Sequence, residues 1–187
     1  MAGHVVLVRH GETAWSLSGQ HTSFTDLPLT PNGESQAEAL VPLLSRFAFE
    51  RVLSSPRRRA LDTARLAGFA DAVEVRDELA EWDYGEYEGR TTAEIVAARP
   101  EWSLWPDGTP AGEQASDVGA RVDRLLADVR HADGDVALFG HGHCLRVVAA
   151  RWVGLGAEDG ARFLFPPAGI FVLGYERDTP VLVAWSP

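Results

Sequence analysis

Two histidines stand where predicted buried strands come to an end. Residues 5–8 are four consecutive apolar residues, which predict a strand buried on both faces, and Arg9 and His10 follow directly. A second apolar run at 135–140 leads into His141. Ligands of open α/β sheets bind at the carboxyl ends of the strands. If these two strands are parallel neighbours, both imidazoles emerge at one edge of the sheet, where a neutral imidazole can act as a nucleophile.

Three consecutive arginines open a predicted helix just past a short strand. The helix dipole disfavours cations at this end, so Arg57, Arg58 and Arg59 break a local rule, as functional sites often do. A helix N-terminus with an arginine fork suits a phosphate or carboxylate. Successive residues turn by about 100° around the helix, so we expect at most one of the three to enter a site. The alternative is a solvated basic face that pairs with Asp62 or Glu50.

An aromatic and acidic segment at 79–89 shows no clear periodicity. It carries Glu81 and Asp83 beside Trp82 and Tyr84. Aromatic neighbours can exclude water from a carboxyl group, which favours the protonated form and suits a general acid. Two-residue spacing puts both carboxyl groups on one face if the segment is extended. The alternative interpretation is an acidic surface loop.

A metal site is the weaker interpretation of the histidines. Five imidazoles are enough for zinc, and they are His4, His10, His21, His141 and His143. The spacing of His141 and His143 allows a shared metal in an extended chain. However, the flanking glycines indicate a turning backbone, the sequence has no HExxH motif, and Cys144 is the only cysteine. The sequence therefore predicts no metal ligands.

Length and composition exclude several classes of protein. A chain of 187 residues predicts one domain over 1–187, and the net charge of −10 argues against binding to nucleic acid or to anionic membranes. No apolar stretch approaches the roughly 18 residues of a membrane span, and no secretory leader pattern opens the chain. One cysteine allows no intramolecular disulfide. These features predict a cytoplasmic protein.

Strand and helix patterns alternate along most of the chain. Helices are predicted over 31–47 (with Thr30 as N-cap and a kink or split at Pro42), 54–67, 92–99, 116–131 and 145–153. Strands are predicted over 5–8, 51–54, 72–75, 135–140, 169–175 and 181–185, and a long polar loop over 14–31. This order predicts an α/β fold of three layers, α/β/α, around a mixed, mostly parallel sheet. An edge strand at 169–175 could pair with a second copy, so a homodimer is one expected oligomeric state.

Four segments in this order resemble the motifs of the histidine phosphatase superfamily, the branch of phosphoglycerate mutases and small acid phosphatases. Arg9-His10-Gly11-Glu12-Thr13 resembles the opening signature, and Ser54-Ser55-Pro56 with Arg59-Ala60 and Thr63-Ala64 the second arginine motif. Leu79 and Glu81 with Gly85 and Glu88-Gly89 resemble the acid motif, and Gly140-His141-Gly142 the second histidine. The sequences of these motifs are most similar to those of small actinobacterial acid phosphatases.

The resemblance implies roles for individual residues. It implies that His10 is a nucleophile that forms a phosphohistidine, and that Glu81 protonates the leaving oxygen and then activates water. Arg9, Arg59 and an imidazolium at His141 would bind the phosphoryl oxygens. The loop over 16–23 would close over the phosphate. Its implied contacts are Thr22 and Ser23 to the phosphate, through hydroxyl or main-chain N–H groups, and Ser16, Gln20 and His21 to the rest of the substrate.

The resemblance implies a phosphomonoesterase for small phosphorylated metabolites that needs neither metal nor other cofactor. Ser16 and Gln20 stand where the family often has Asn and Arg, so we expect a less crowded or less acidic substrate than phosphoglycerate. The chain lacks the extra segment of the mutases, and a short lid around 91–112 should favour hydrolysis. A phosphoglycerate mutase and a non-catalytic module that binds a phosphorylated ligand remain the alternatives.

Overall fold

A computed structural model describes residues 3–186 of the chain. Six strands form one sheet in the order β3-β2-β4-β1-β5-β6. The strands are β1 (Val5–Arg9), β2 (Phe49–Ser54), β3 (Val73–Val75), β4 (Asp135–Gly140), β5 (Ile170–Glu176) and β6 (Thr179–Ser186). Strands β1 to β4 are parallel, and the β5–β6 hairpin joins β1 in antiparallel orientation. The predicted mixed, mostly parallel sheet is confirmed.

Helices cover both faces of the sheet. They are α1 (Ala14–Ser18), α2 (Pro31–Glu38), α3 (Val41–Leu44), α4 (Arg58–Ala64, continued by a π turn to Phe69), α5 (Thr92–Ala98), α6 (Leu104–Asp107), α7 (Ala115–Val129) and α8 (Gly142–Trp152). Alternate residues of β1 point to opposite faces, so Val5 and Leu7 pack in one apolar cluster and Val6 and Val8 in the other. The three layers follow from this alternation.

Three local predictions need correction or refinement. The segment 14–31 is not loop throughout, because Thr13 and Ser16 cap each other's main-chain N–H and start helix α1. The helix predicted over 31–47 is split into α2 and α3, and Pro42 lies in the first turn of α3, where a missing N–H costs nothing. Helix α8 begins at Gly142, three residues before the predicted start.

The proposed dimer edge at 169–175 is wrong. Strand β5 is paired on both sides, with β1 and with β6, so its main-chain groups are already satisfied. In the described part of the chain, the edges of the sheet are β3 and β6. Between residues 3 and 186, no helix has the length and apolar character that crossing a membrane requires.

Candidate active site

Parallel pairing brings the two predicted histidines together. Arg9 at the end of β1 pairs with Gly140 at the end of β4, and the His10 N–H donates to the Gly140 carbonyl at 3.0 Å. The His10 and His141 ring centres are 5.2 Å apart. Gly11 follows because a Cβ there would lie 2.3 Å from the Gly33 carbonyl oxygen. Glycine is therefore needed at this position because the backbone approaches α2 closely.

His10 is held as a neutral imidazole with one free nitrogen. Its Nδ1 lies 2.7 Å from the Gly11 carbonyl, which can only accept, so Nδ1 carries the proton. Burial lowers the pKa of His10 well below its usual value, and the positive charges of Arg9 and Arg59 lower it further. Nε2 has no hydrogen-bond partner among the described residues and faces a cavity of about 230 Å³ that His10 lines. This is the state that a histidine nucleophile requires.

His141 lies behind His10 and is neutral too, which differs from the expected imidazolium. Arg59 Nε donates to His141 Nδ1 at 3.2 Å, so this nitrogen cannot carry a proton. The other nitrogen, Nε2, therefore carries the hydrogen and donates to Ser55 Oγ at 2.7 Å. Burial and the charge of Arg59 lower the pKa of His141 well below its usual value. His141 therefore carries no net charge in this arrangement, and its single N–H is already donated to Ser55.

Arg59 is fully buried and organises the loop that precedes α2. Its guanidinium donates to the carbonyl oxygens of Thr22, Ser23 and Thr25 at 3.0 to 3.3 Å, in addition to the bond to His141. These four hydrogen bonds leave at most one of the five guanidinium donors for a phosphate. Neither Arg59 nor His141 is among the described side chains that line the cavity. Their direct contact with phosphate remains a prediction.

The arginine run divides as its helical spacing predicts. Arg59 points inward, whereas Arg58 is exposed and pairs with Asp62 at 3.2 Å. Arg57 is half-buried, and its guanidinium lies 4.8 Å from the centre of the Phe24 ring. Only one of the three therefore reaches the histidines.

We expect Arg59→Ala to lower kcat/KM far more than Arg58→Ala. Loss of a charged contact that strengthens in the transition state costs about 3–4 kcal/mol, or roughly 10²–10³ in rate. The exposed Arg58–Asp62 pair contributes about 0.5 kcal/mol to stability and should leave kcat/KM unchanged. Steady-state kinetics on both variants, with thermal melts to check folding, make the comparison. Equal, small losses in both variants would contradict the role of Arg59.

Glu81 is buried and faces the cavity at the start of α8. Its carboxylate accepts main-chain N–H groups of Trp82, His143 and Cys144 at 2.8 to 3.1 Å, and the last two lie in the first turn of α8. These contacts fix the orientation of the carboxyl group. Asp83 accepts the Gly85 N–H at 2.9 Å and lines a neighbouring surface cavity, which Glu81 also lines. Of the two residues, only Glu81 lines the cavity of His10, so position favours Glu81.

Only some residues of the predicted phosphate-binding loop line the cavity. Thr22, Ser16, Gln20 and His21 line the cavity, but Ser23 does not. The Ser23 main-chain N–H, expected to bind phosphate, donates to the Glu88 carboxylate at 2.8 Å, so Ser23 anchors the loop instead. The Glu88 carboxylate also accepts the Thr25 N–H, so Glu88 holds both of these loop residues.

The polar groups of the cavity wall are largely committed to the protein. The Ser16 hydroxyl caps α1, and the Gln20 amide donates to the Gly89 carbonyl at 2.7 Å. The Thr22 hydroxyl donates to the Gln20 carbonyl, and His21 Nε2 lies 3.4 Å from Thr92 Oγ1. These residues shape the wall, and Thr92 ties it to the segment 91–112.

Sequence reasoning missed the far wall of the cavity. The Tyr84 hydroxyl lies 2.6 Å from His143 Nδ1, and burial raises the pKa of this tyrosine well above its usual value, which keeps it protonated. Arg146 and Trp15 complete this wall. His143 and Arg146 are three residues apart on α8, so the spacing would have placed them on one face had the helix start been predicted at Gly142.

The histidines do not gather into a metal-binding group. His4 lies at the opposite end of β1, against Asp135, and His141 and His143 both use Nδ1 in hydrogen bonds within the protein. Across residues 3–186 no three His, Cys, Asp or Glu side chains lie close enough together to hold an ion.

Comparisons with known proteins agree on one family. The model of the histidine phosphatase superfamily (branch 1) matches residues 5–187. An acid phosphatase of Mycobacterium tuberculosis is 46% identical over 92% of this chain and 87% of its own length. A sedoheptulose 1,7-bisphosphatase of Saccharomyces cerevisiae is 38% identical over 82% of this chain and 68% of its own.

A solved structure extends the comparison to the whole fold. The structure of an open reading frame from Mycobacterium tuberculosis superposes with a TM-score of 0.92 at 44% identity, and the match covers 97% of this chain and 96% of that one. The three-layer fold and the predicted resemblance to small actinobacterial acid phosphatases are thereby confirmed. The chain belongs to the histidine phosphatase superfamily, branch 1, and is a phosphatase.

Proposed function

We propose that the protein is a metal-independent phosphomonoesterase that hydrolyses small phosphorylated metabolites through a phosphohistidine on His10. One observation carries the proposal: the His10 imidazole is neutral, its Nδ1–H is held by the Gly11 carbonyl, and its Nε2 faces the cavity. A substrate phosphorus placed in this cavity meets a lone pair that is already oriented. Fixing the nucleophile in this way removes much of the entropic cost of attack.

Hydrolysis then proceeds in two displacements at phosphorus. In the first, His10 Nε2 forms a bond to phosphorus, the bond to the ester oxygen breaks, and the leaving oxygen takes a proton from Glu81. In the second, water attacks the phosphohistidine, Glu81 takes a proton from that water, and the bond from phosphorus to Nε2 breaks. Inorganic phosphate and an alcohol are released, and both side chains return to their starting states. Glu81 is suited to both steps because its position beside His143 is fixed by main-chain donors.

Charge on the phosphoryl group is balanced by guanidinium groups. Arg9 lines the cavity, donates to the Phe165 carbonyl through Nη1, and has a buried Nε with no partner among the described residues. Its Nη2 has no hydrogen-bond partner among the described residues and is not one of the buried unpaired atoms, so a phosphoryl oxygen is the partner that we assign to Nη2. The Gly142 backbone leaves room for this arrangement, since a Cβ there would lie 3.3 Å from the Arg9 Cζ. No metal is needed for charge neutralisation in this scheme.

The proposal extends to the surroundings of the site. We propose that the segment 91–112 acts as a short lid. Thr92 is its contact with the cavity, and the buried side chains of Ile95, Trp102 and Leu104 anchor the segment in the core. A short lid leaves a phosphoenzyme open to water, which favours hydrolysis over transfer. The names of the relatives, an acid phosphatase and a sugar bisphosphatase, support small phosphomonoesters as substrates. The single cysteine is in keeping with a cytoplasmic location.

We expect phosphatase activity to survive exhaustive chelation. The reason is that Arg9 and Arg59 supply the positive charge that a metal would otherwise provide. Release of phosphate from p-nitrophenyl phosphate is measured after dialysis against EDTA and again after addition of magnesium or zinc. Activity that disappears with EDTA and returns with either ion would overturn the metal-independent scheme.

Hydrolase and mutase activities are separated by following the phosphoryl group. Incubation with 3-phosphoglycerate should release inorganic phosphate in stoichiometric amounts and form no 2-phosphoglycerate. Isomerisation faster than phosphate release would identify a mutase. A protein that binds phosphate but turns over none of these esters would identify a binding module.

A further inference from the structure

The proposed general acid lies on a segment without regular secondary structure. Glu81 stands between two single-turn 3-10 helices, Asp77–Leu79 and Gly85–Tyr87, and residues 80–84 belong to no helix or strand. The main-chain hydrogen bonds of a helix or a sheet therefore do not fix its position. General acid catalysis requires the carboxyl group to stay within hydrogen-bond reach of the leaving oxygen. Contacts from other parts of the fold must hold this segment.

Arg121 of α7 holds the segment on the N-terminal side of Glu81. Its Nη1 donates to the carbonyl oxygens of Glu78 and Ala80, both at 2.7 Å. Ala80 is the residue directly before Glu81. The Arg121 side chain is 11% exposed and belongs to a helix of 15 residues. A buried donor on a long helix is a rigid support, because the helix restrains its main chain and packing restrains its rotamer.

Glu113 holds the segment on the C-terminal side. Its carboxylate accepts the Asp83 N–H at 2.8 Å, and its own N–H donates to the Asp83 carbonyl at 2.9 Å. Its carbonyl oxygen accepts the Trp82 indole N–H at 2.9 Å. The same carboxylate accepts two hydrogen bonds from Arg121, from Nε at 2.8 Å and from Nη2 at 3.0 Å. The ion pair thus joins the supports on both sides of Glu81.

Arg121 also contacts the helix whose N–H groups bind the Glu81 carboxylate. Its Nη1 lies 3.4 Å from Cys144 Sγ, and the Cys144 N–H donates to Glu81 Oε1 at 2.8 Å. Burial raises the pKa of the Cys144 thiol to about 11, so the thiol stays neutral and Glu113 balances the charge of Arg121. Arg121 therefore contacts both parts of the acid's surroundings, the main chain of residues 78–80 and the first turn of α8.

The Arg121–Glu113 pair lies outside the cavity in which phosphate is attacked. Neither residue is among the described side chains that line the cavity in front of His10, and both line the neighbouring surface cavity instead. Their opposite charges also offset each other, which limits the field that the pair exerts at His10. What the pair controls is therefore the position of Glu81.

We propose that Arg121 and Glu113 are positioning residues for the general acid, which hold the main chain on both sides of Glu81 so that its carboxyl group meets the leaving oxygen. The inference rests on the proposed function, since it requires Glu81 to protonate the leaving group. Loss of Arg121 then impairs proton transfer and leaves the attack of His10 intact. Substrates whose leaving oxygen needs no proton should be spared.

Substrates with different leaving groups test the inference. Arg121→Met removes the hydrogen bonds and keeps much of the side-chain volume. We expect it to lower kcat/KM for alkyl phosphates by about 10- to 100-fold, the cost of misplacing a catalytic group by about 1 Å. For p-nitrophenyl phosphate, kcat/KM should stay within about threefold of the wild-type value, because p-nitrophenolate leaves with little protonation. Arg121→Lys, which keeps the charge and one donor group, should recover part of the loss on alkyl phosphates.

A double variant shows whether Arg121 acts through Glu81. In the Glu81→Gln background, Arg121→Met should lower kcat/KM for alkyl phosphates by less than about twofold further, because the proton donor is already absent. Rates are measured well below the melting temperature of each variant. They are divided by the concentration of enzyme that forms a trappable phosphoenzyme, so that misfolded protein does not count.

Arg151→Met is the matched control. Arg151 forms the same kinds of contact, two hydrogen bonds to the Asp123 carboxylate at 2.8 and 2.9 Å and one to the Leu155 carbonyl at 2.9 Å. None of these partners belongs to the segment that carries Glu81. The control variant should therefore keep the wild-type dependence on the leaving group, even if its melting temperature falls.

The outcomes separate this inference from the proposed function. Equal losses on alkyl and p-nitrophenyl phosphates in Arg121→Met would overturn the positioning role, and so would additive losses in the double variant. If Arg121→Met does not fold, Glu113→Gln takes its place, because it breaks the ion pair but keeps an oxygen for the Asp83 N–H. An unchanged dependence on the leaving group in Glu113→Gln would then overturn the inference. Absence of that dependence in Glu81→Gln would overturn the proposed acid instead.

Discussion

His10→Ala should abolish turnover, lowering kcat by roughly 10⁴–10⁶-fold, which is the size of effect expected when a covalent nucleophile is removed. The acid-labile phosphoenzyme that can be trapped from labelled substrate should disappear in the same variant. The physical reason is that Nε2 of this imidazole is the free lone pair oriented into the cavity, whereas His141 has both ring nitrogens bound within the protein. Rapid quench with labelled p-nitrophenyl phosphate measures both quantities.

A second histidine, at the opposite end of the same strand, provides the control. His4 lies just before β1, at its opposite end, and is about half exposed beside Asp135, so His4→Ala should keep full activity. Melting curves of both variants check that the sheet is intact. Substantial turnover or a trapped phosphoenzyme in His10→Ala would contradict the assignment of the nucleophile.

The lowered pKa of His10 also determines how activity depends on pH. A free histidine gains a proton as the pH falls through 6.5, but burial and the charges of Arg9 and Arg59 keep His10 neutral well below that value. We therefore expect kcat/KM to hold steady as the pH is lowered through 6.5, after correction for the second ionisation of the ester at about 6. A tenfold loss per pH unit below 6.5 would show that protonation of the nucleophile limits the reaction.

The same pKa shifts act on stability with a defined sign. The unfolded chain takes up protons on its histidines below pH 6.5, whereas His10, His141 and His143 in the folded state do not. Because the unfolded state then binds more protons, the free energy of unfolding decreases as the pH falls below 6.5. The enzyme is thus expected to keep its nucleophile at acidic pH while it loses stability.

Glu81→Gln should slow the hydrolysis of alkyl phosphates by about 10²–10⁴-fold, the usual contribution of a positioned general acid. Phosphorylation of the enzyme by p-nitrophenyl phosphate should slow much less, because p-nitrophenolate leaves with little protonation. The variant should consequently release a burst of p-nitrophenol and accumulate phosphoenzyme, since Glu81 also activates the water of the second step. Stopped-flow absorbance and quench measurements record the burst and the slow phase.

Asp83→Asn is the matched control for this assignment. Asp83 lies two residues away but accepts the Gly85 N–H and does not line the cavity of His10, so its variant should show no dependence on the leaving group. The Gln side chain at 81 places an amide near the His143 N–H, so a thermal melt accompanies the kinetics. Leaving-group dependence in Asp83→Asn together with its absence in Glu81→Gln would place the acid on Asp83.

The sequence by itself determined the layers of the fold and the centre of the site. Four apolar residues before Arg9 predict a strand buried on both faces, and the structure buries Val5 to Val8 between two helix layers. The pairing of His10 with His141 follows from the rule that parallel strands end at one edge. The identity of the inward arginine, Arg59, follows from helical spacing once the motif is known. Local sequence patterns contain this information because buried positions recur about every two residues in a strand and about every 3.6 residues in a helix.

Tertiary structure alone decided what these side chains bind. Arg59 and Ser23 appear from the sequence as phosphate ligands, yet Arg59 donates to loop carbonyls and the Ser23 N–H is taken by Glu88. Nothing in the local sequence shows that the carbonyls of residues 22–25 would turn toward a helix that begins at residue 58. The sequence did not place Arg146 in the cavity wall either, because an arginine in an apolar helix resembles any surface cation. Its orientation depends on Gly160 and Trp105, which are distant in the chain and contact Arg146 only in the folded protein. The direction of a hydrogen bond depends on partners remote in the chain, and these become defined only when the layers pack.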